Sequence, residues 1–421
     1  MIQTVNKTVL QNGIRILTKK MPYVRSVSMG IWVNVGARDE RLAENGLSHF
    51  IEHMIFKGTK KRSAFQIARE FDAIGGHSNA FTGMENTCFH AKVMDTHIEI
   101  LVDILSDIFL NSVFNAKEVE NERQVILQEI GMVEDSPEEY IHILTNNNFW
   151  GDNPLGRSIL GSRENVTNFD ADAIKEFFYR LYQPGYIVIS AAGNIEHDRI
   201  VDIIGPAFES ITSGKGLPER TTPESISSVD MHYRNLEQVH ICIGTKGLPA
   251  TDEQRYAFSL MNTILGGNMS SRLFQEIREQ RGLAYSVYSF ISSHIDTGMF
   301  GVYAGIDPEN AQVSTELILN EMRKLKEKRV SSTELHNAKE YTKGNLLLAS
   351  ESSDNQMVRL AQNEIHFGRY IPMQEVVDNI DTVSKNDILN LAENLFQSKR
   401  LALTSLGPVR DNTLLKNSLT F

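Results

Sequence analysis

The sequence predicts an α+β fold made twice along one chain: two duplicated αβ units, each a mainly antiparallel sheet with helices packed on one face. Three observations predict it. The 421 residues exceed one average domain and suit two of roughly 200 each. Within the first half, strand patterns come first and helical patterns later, which is the α+β order rather than strict alternation. Finally, three segment pairs recur in the same order. "VSMGIWVNVGARDE" resembles "VHICIGTKGLPATDE", "VFNAKEVEN" resembles "RVSSTELHN", and "YIVISAAGN" resembles "RLALTSLGP". Their matching positions Val27 and Val239, Glu118 and Glu334, and Gly193 and Gly407 stand 212, 216 and 214 residues apart. A nearly constant offset marks a duplicated unit; two unrelated α+β domains are the alternative.

The elements of the first half follow in order. An alternating run at 8–10, a turn at Asn12-Gly13 and a second run at 14–20 read as a hairpin. A strand at 26–35 comes next. Helical patterns cover 44–57 and 64–74, the latter closed by Gly75-Gly76. A strand-like region at 78–93 precedes long helices at 96–111 and 116–133. The stretch "TSGKGLPERTTPES" (212–225) reads as a linker where the second copy should begin. The expected domains are therefore 1–212, a linker at 213–225, and 226–421.

Composition narrows the function classes. Hydrophobic residues make up 41% and charged residues 23%, as in a soluble globular protein. A net charge of −11 argues against non-specific nucleic-acid binding, which needs clustered Lys and Arg. Cys88 and Cys242 are the only cysteines, so no disulfide framework is implied and a reducing compartment is favoured. The N-terminal "MIQTVNKTVLQNGIRILTKKM" has no uninterrupted apolar core of a targeting segment. No run of about 18 apolar residues occurs, so no membrane span is expected.

The chemically informative stretch is "HFIEH", His49 to His53. On a helix, His49 and His53 are one turn apart and share a face, so both imidazoles can reach one metal ion. Glu52 stands beside that face, placed to act on water without ligating. This is H-E-x-x-H reversed, with the same logic. Ser48 and Gly46 precede the pair, and Glu44 is a candidate cap for the helix start. A catalytic zinc site needs a third protein ligand and an open position. The helix "AKEVENERQVILQEIGMVE" offers Glu122 and Glu129, seven residues apart and flanked by Val119, Val125 and Ile126, so both should point inward. Inward carboxylates are costly unless paired or metal-bound. The alternatives at this point are surface histidines pairing with a glutamate, and glutamates bridged to a buried arginine.

His49-x-x-Glu52-His53, with Glu129 lying 76 residues beyond His53, resembles the inverted-motif zinc peptidases of the pitrilysin and mitochondrial-processing-peptidase type, in their short, two-unit bacterial form. The resemblance covers nearly the whole chain and includes "NAFTGMENT" (79–87), "NERQVILQEI" (121–130), "NPLGRSILGS" (153–162) and "SSRLFQEIREQRGLAYSV" (270–287). It implies one zinc ion per chain held by His49, His53 and Glu129, with Glu52 as general base and Glu122 supporting the site without ligating. It implies that Asn79 and Ala80 lie on an edge strand that pairs with substrate backbone. Arg278 and Tyr285 match the second-half pair that reaches substrate and the tetrahedral intermediate; as plain structure they are an exposed helix charge and a strand residue. The second half has no H-x-x-E-H and so no second metal.

The family builds a closed chamber from four αβ units, which for a two-unit chain implies a homodimer cleaving unfolded peptides or oligopeptides. A catalytically silent partner subunit is the alternative; such subunits often carry a long glycine-rich loop, and here the region is only "LGGNMSSRL". In processing peptidases a glutamate and an aspartate four residues apart bind a substrate arginine. This chain keeps Glu139 but has Ile143 in the second place, so a strict arginine rule is not expected. Competing readings from another class are a non-catalytic core subunit of a larger assembly and a peptide-binding holdase. The expected location is a bacterial cytoplasm.

Overall fold

The computed structural model describes residues 5–212, 216, 219–409 and 419. Positions 213–215, 217 and 218 of the expected linker lie outside the described residues, as do both chain ends. The chain packs into two compact units assembled from interleaved segments. One comprises Met1–Gly131, Arg157–Arg220 and Leu348–Tyr370; the other comprises Met132–Gly156, Thr221–Leu347 and Ile371–Phe421.

The first unit contains strands β1 (Val5–Val9), β2 (Arg15–Lys20), β3 (Ser26–Val33), β4 (His77–Thr82), β5 (Thr87–Met94) and β6 (Ile187–Gly193). They form one sheet in the order β1-β2-β6-β3-β5-β4, antiparallel throughout except for the parallel β2–β6 pair. The 78–93 region thus resolves into a hairpin, broken where Gly83 N–H donates to the Asn86 carbonyl. Helices α1 (Leu47–Met54), α2 (Ala64–Ala73), α3 (Ile98–Asn111) and α4 (Ala116–Asp135) follow the expected order.

Side chains alternate across the strands, so the sheet has two apolar faces. On one, Ile16, Ile31, Phe89 and Ile189 join the helices in the main core, where Phe50, Ile51, Ile104 and Ile108 are fully buried. On the other, Leu17, Trp32, Cys88 and Val188 pack on Met357, Leu360 and Ala361. Those three belong to the helix Ser353–Phe367, contributed by the distant second half of the sequence. Polar contacts fix it there: the hydroxyls of Ser28 and Ser353 are 2.8 Å apart, and Lys92 pairs with Asp354 at 2.8 Å. Within the expected linker, Arg220 is anchored on this unit, donating to both carboxylate oxygens of Asp39 at 2.8 Å.

The second unit repeats the plan. Its strands are β7 (Val229–Tyr233), β8 (Val239–Lys246), β9 (Ala284–Ser293), β10 (Gly298–Ile306) and β11 (Ala402–Gly407), ordered β7-β11-β8-β10-β9. Again one pair, β7–β11, is parallel and the rest are antiparallel. The order matches β2-β6-β3-β5-β4 strand for strand. All three repeat matches fall on equivalent elements: β3 and β8, the first turns of α4 and of the helix Ser332–Ala349, and the ends of β6 and β11. Gly193 and Gly407 even share a conformation, with φ of +144° and +152° and the next strand's backbone within 3 Å of where a Cβ would sit. The second sheet likewise carries a helix from the other half of the sequence, α5 (Pro137–Trp150). Its Ile141 packs with Cys242, Tyr303 and Leu406.

Candidate metal centre and active site

Helix α1 begins at Gly46, whose φ of +108° suits glycine. Its orphan N–H groups meet Glu40, not Glu44. Glu40 accepts from Gly46 N at 2.8 Å, Ser48 N at 2.7 Å and Asn45 Nδ2 at 3.0 Å. Burial pushes the Glu40 carboxyl up to about 7, against the pull of those donors. Glu44 is occupied elsewhere, pairing with Arg180 and Arg41. Leu47, Phe50, Ile51 and Met54 anchor α1 in the core, which leaves His49 and His53 on the adjoining face with ring centroids 4.7 Å apart.

Helix α4 brings the carboxylates. Val119, Glu122, Ile126 and Ile130 form its buried stripe. Val125 falls off that stripe at 46% exposed, and Glu129 sits at its margin with its side chain 40% exposed. The inward reading therefore holds fully for Glu122 alone. Arg123 fixes the helix by donating to the carbonyls of Val166, Thr167 and Phe169 at 2.5–2.8 Å, around the C-terminus of a short helix.

Glu129 Oε2 lies 3.6 Å from His49 Nε2 and 3.5 Å from His53 Nε2. Among the described residues this is the single cluster of three His, Cys, Asp or Glu donors able to hold a metal, all within 4.8 Å of one another. Ligands about 2.1 Å from a tetrahedral zinc would stand about 3.4 Å apart, so the donor set fits the ion in type and spacing. Behind it, Glu122 bridges two partners: Oε2 stands 3.1 Å from His53 Nδ1, and Oε1 2.7 Å from Lys57 Nζ. A carboxylate on the far ring nitrogen fixes the histidine's orientation and tautomer. Burial drives His49 down to about 4, helped by the charge of His53 and opposed by Glu129. Burial also works against a charged His53, but Glu122 and Glu129 outweigh it and raise the group to about 9. A metal ion and protons compete for donors of this kind.

Glu52 is half-buried beside these groups. Burial raises its carboxyl and Glu129 adds to the rise, while Thr82 at the end of β4 and the charge of His53 pull it back down. Asn79 and Ala80 lie on β4, the edge of the first sheet, paired on one side only with His90 and Phe89. The Ala80 N–H is taken by its neighbour's Asn79 Oδ1 at 2.9 Å.

The remaining candidates belong to the second unit. Arg278 lies in a π-helical turn, Phe274–Glu279, and Tyr285 opens β9. They meet each other: the guanidinium sits 4.9 Å from the Tyr285 ring centre and 4.7 Å from that of Phe274. Tyr285 is 78% exposed. Glu139 is exposed in the first turn of α5.

Comparison with known proteins identifies the family. Residues 15–163 match the model for insulinase (peptidase family M16), and 168–341 match the one for the peptidase M16 inactive domain. An uncharacterized zinc protease of Streptomyces coelicolor is 39% identical over 97% of this chain and 91% of its own. The uncharacterized zinc protease YmxG of Bacillus subtilis is 40% identical over 96% and 98%. The chain belongs to peptidase family M16. Zinc is its cofactor, and its class is metallopeptidase. A protease from Helicobacter pylori shares the M16 fold at a TM-score of 0.91 and 20% identity, over 96% of this chain and all of that one. A peptidase M16 inactive domain from Pseudomonas fluorescens does so at 0.90 and 17%, over 97% and 99%.

Lys57, Glu40, Thr82 and Arg123 are the site-building residues that motif reading passes over in this M16 chain. Lys57 had a signal, since 49, 53 and 57 are spaced by four. Glu40 had none, because it reaches forward over a loop.

Proposed function

We propose that this chain is a zinc endopeptidase, of processing-peptidase-like type, that cleaves unfolded peptides or oligopeptides. The observation that carries the reading is the convergence of His49, His53 and Glu129 on one point, with the half-buried Glu52 beside them. When bound there, zinc supplies Lewis acidity, acidifying water and polarising a peptide carbonyl. Glu52 takes the proton of the attacking water and hands it to the departing amine nitrogen; its raised proton affinity suits both transfers. Glu122 and Lys57 hold the His53 ring. Peptide pairs along the β4 edge at Asn79 and Ala80 by strand addition, and Arg278, Tyr285 and Glu139 are further substrate-binding residues. The working form is a homodimer enclosing a chamber in a bacterial cytoplasm. Among the described residues no helix is long and apolar enough to cross a membrane.

The test is a quenched fluorogenic peptide with wild type and Glu52→Gln, with and without chelator, beside metal analysis. Wild type should cleave and lose activity to chelator. Glu52→Gln should keep one zinc per chain and lose about 10²–10⁴-fold in kcat. Binding without cleavage by the wild type would favour the holdase instead.

A further inference from the structure

We propose that Lys57 is a positioning residue of the zinc centre, acting through Glu122 to hold the His53 imidazole in its metal-binding orientation. The inference rests on the reading of His49, His53 and Glu129 as ligands, and extends it by one residue that the inverted motif does not contain.

The geometry is a relay of three side chains. His53 Nδ1 stands 3.1 Å from Glu122 Oε2, and the other oxygen of that carboxylate stands 2.7 Å from Lys57 Nζ. Glu122 is 7% exposed, while Lys57 is 32% exposed and emerges just after α1. The chain bends there with Lys57 N–H donating to the Met54 carbonyl at 3.0 Å, which returns the ammonium toward α4.

A buried carboxylate with a single neutral partner has little to stop it rotating, and it bears an uncompensated charge. With Lys57 on Oε1, rotation of Glu122 about its terminal bond would break a charge-assisted hydrogen bond. Oε2 is thereby committed to His53 Nδ1, and Nε2 is the nitrogen presented to Glu129 and the metal. His49 lacks such a device: its Nδ1 is buried without a hydrogen-bond partner. Two carboxylates, Glu122 and Glu129, flank His53, and Lys57 supplies the cation that balances the one not used as a ligand. Outer partners of this kind typically alter metal affinity 10–100-fold.

The experiment measures zinc affinity of the full chain by competition with a chromophoric chelator, for wild type, Lys57→Met, Lys57→Arg, Glu122→Gln and the double variant Lys57→Met/Glu122→Gln. Lys57→Met should raise the Kd for zinc by about tenfold or more. Lys57→Arg should restore most of it, and the double variant should be no worse than Glu122→Gln, because both act through one carboxylate. Melting of the metal-free protein should fall less than that of the zinc-loaded protein, so that the zinc-induced rise in Tm is reduced. An unchanged Kd in Lys57→Met would overturn the proposal. So would an equal fall of Tm in metal-free and zinc-loaded protein without rescue by arginine, which marks a purely structural lysine. Should Lys57→Met fold poorly, Lys57→Gln carries the same expectation. Wild type that binds no zinc, or a Glu129→Ala variant that keeps it fully, would instead overturn the ligand assignment.

Discussion

Gly161→Ala places one methyl group where the start of helix α1 already lies. Gly161 has φ of +79°, and a Cβ there would stand 2.4 Å from the Asn45 carbonyl oxygen and 2.8 Å from Gly46 Cα. Ordinary van der Waals contact begins at 3.4 Å, so the backbone must give by roughly 1 Å. No rotamer relieves this, because both obstacles are main chain. The residues displaced are the ones that hold Glu40: Asn45 through its amide and Gly46 through its N–H. His49 follows three positions later. A misplacement of about 1 Å near reacting groups can cost about 10²-fold in rate, and that is the expected fall in kcat/KM on a quenched peptide. Gly75→Ala is the control. Its φ of +62° is equally left-handed, yet nothing lies within 4 Å of its added Cβ. That variant should lose only about 1–2 kcal/mol of stability and keep wild-type kinetics. A folded Gly161→Ala enzyme with unchanged kcat/KM would refute the reasoning.

Two further outcomes follow from buried groups. The Glu40 carboxyl is raised to about 7, above its unfolded value near 4.5, so the native state binds the extra proton between those pH values. Its contribution to stability is fully present below pH 4.5 and is lost as pH rises through 7. Urea unfolding at pH 5 and pH 8 should show the wild type losing on the order of 3 kcal/mol relative to Glu40→Gln; a pH-independent difference would contradict the assignment. Leu360→Ala empties a fully buried position on the helix that backs the first sheet. It should cost about 2–5 kcal/mol, read from the urea midpoint, and a cost under about 1 kcal/mol would show that this face packs loosely.

Much of the fold and the metal centre was legible from residue patterns because both rest on periodicity. The repeat is visible where strand ends and helix starts demand particular residues, such as Gly193 and Gly407 at positive φ or Glu118 and Glu334 in a first helical turn. His49, His53 and Glu122 are legible because turns of a helix convert spacing into direction; Glu129, at the margin of its stripe, is singled out by the family spacing. What escapes is long-range. The helix Ser353–Phe367 gives no sign in its own sequence that it covers strands more than 150 residues upstream. The strands do give one: "SVSMGIWV" and "IVISAAG" are nearly continuous apolar runs, the pattern of burial on both faces. Glu40 escapes because a loop, not a helix, carries it to α1. Val125 lies one position before Ile126 of the buried stripe, which is enough to turn a side chain to solvent.

The interleaving of the two units also sets a timetable. A ribosome releases the first half of the chain long before residues 353–367 exist, so the emerging first sheet must wait with Leu17, Trp32, Cys88 and Val188 uncovered. The first sheet is therefore covered only after most of the second half has been made, by the helix Ser353–Phe367. A fragment ending at residue 212 is a sheet with one wet apolar face, and it should aggregate rather than fold. Duplication has thus produced a chain whose halves look independent in sequence, yet neither can be completed without the other's helix.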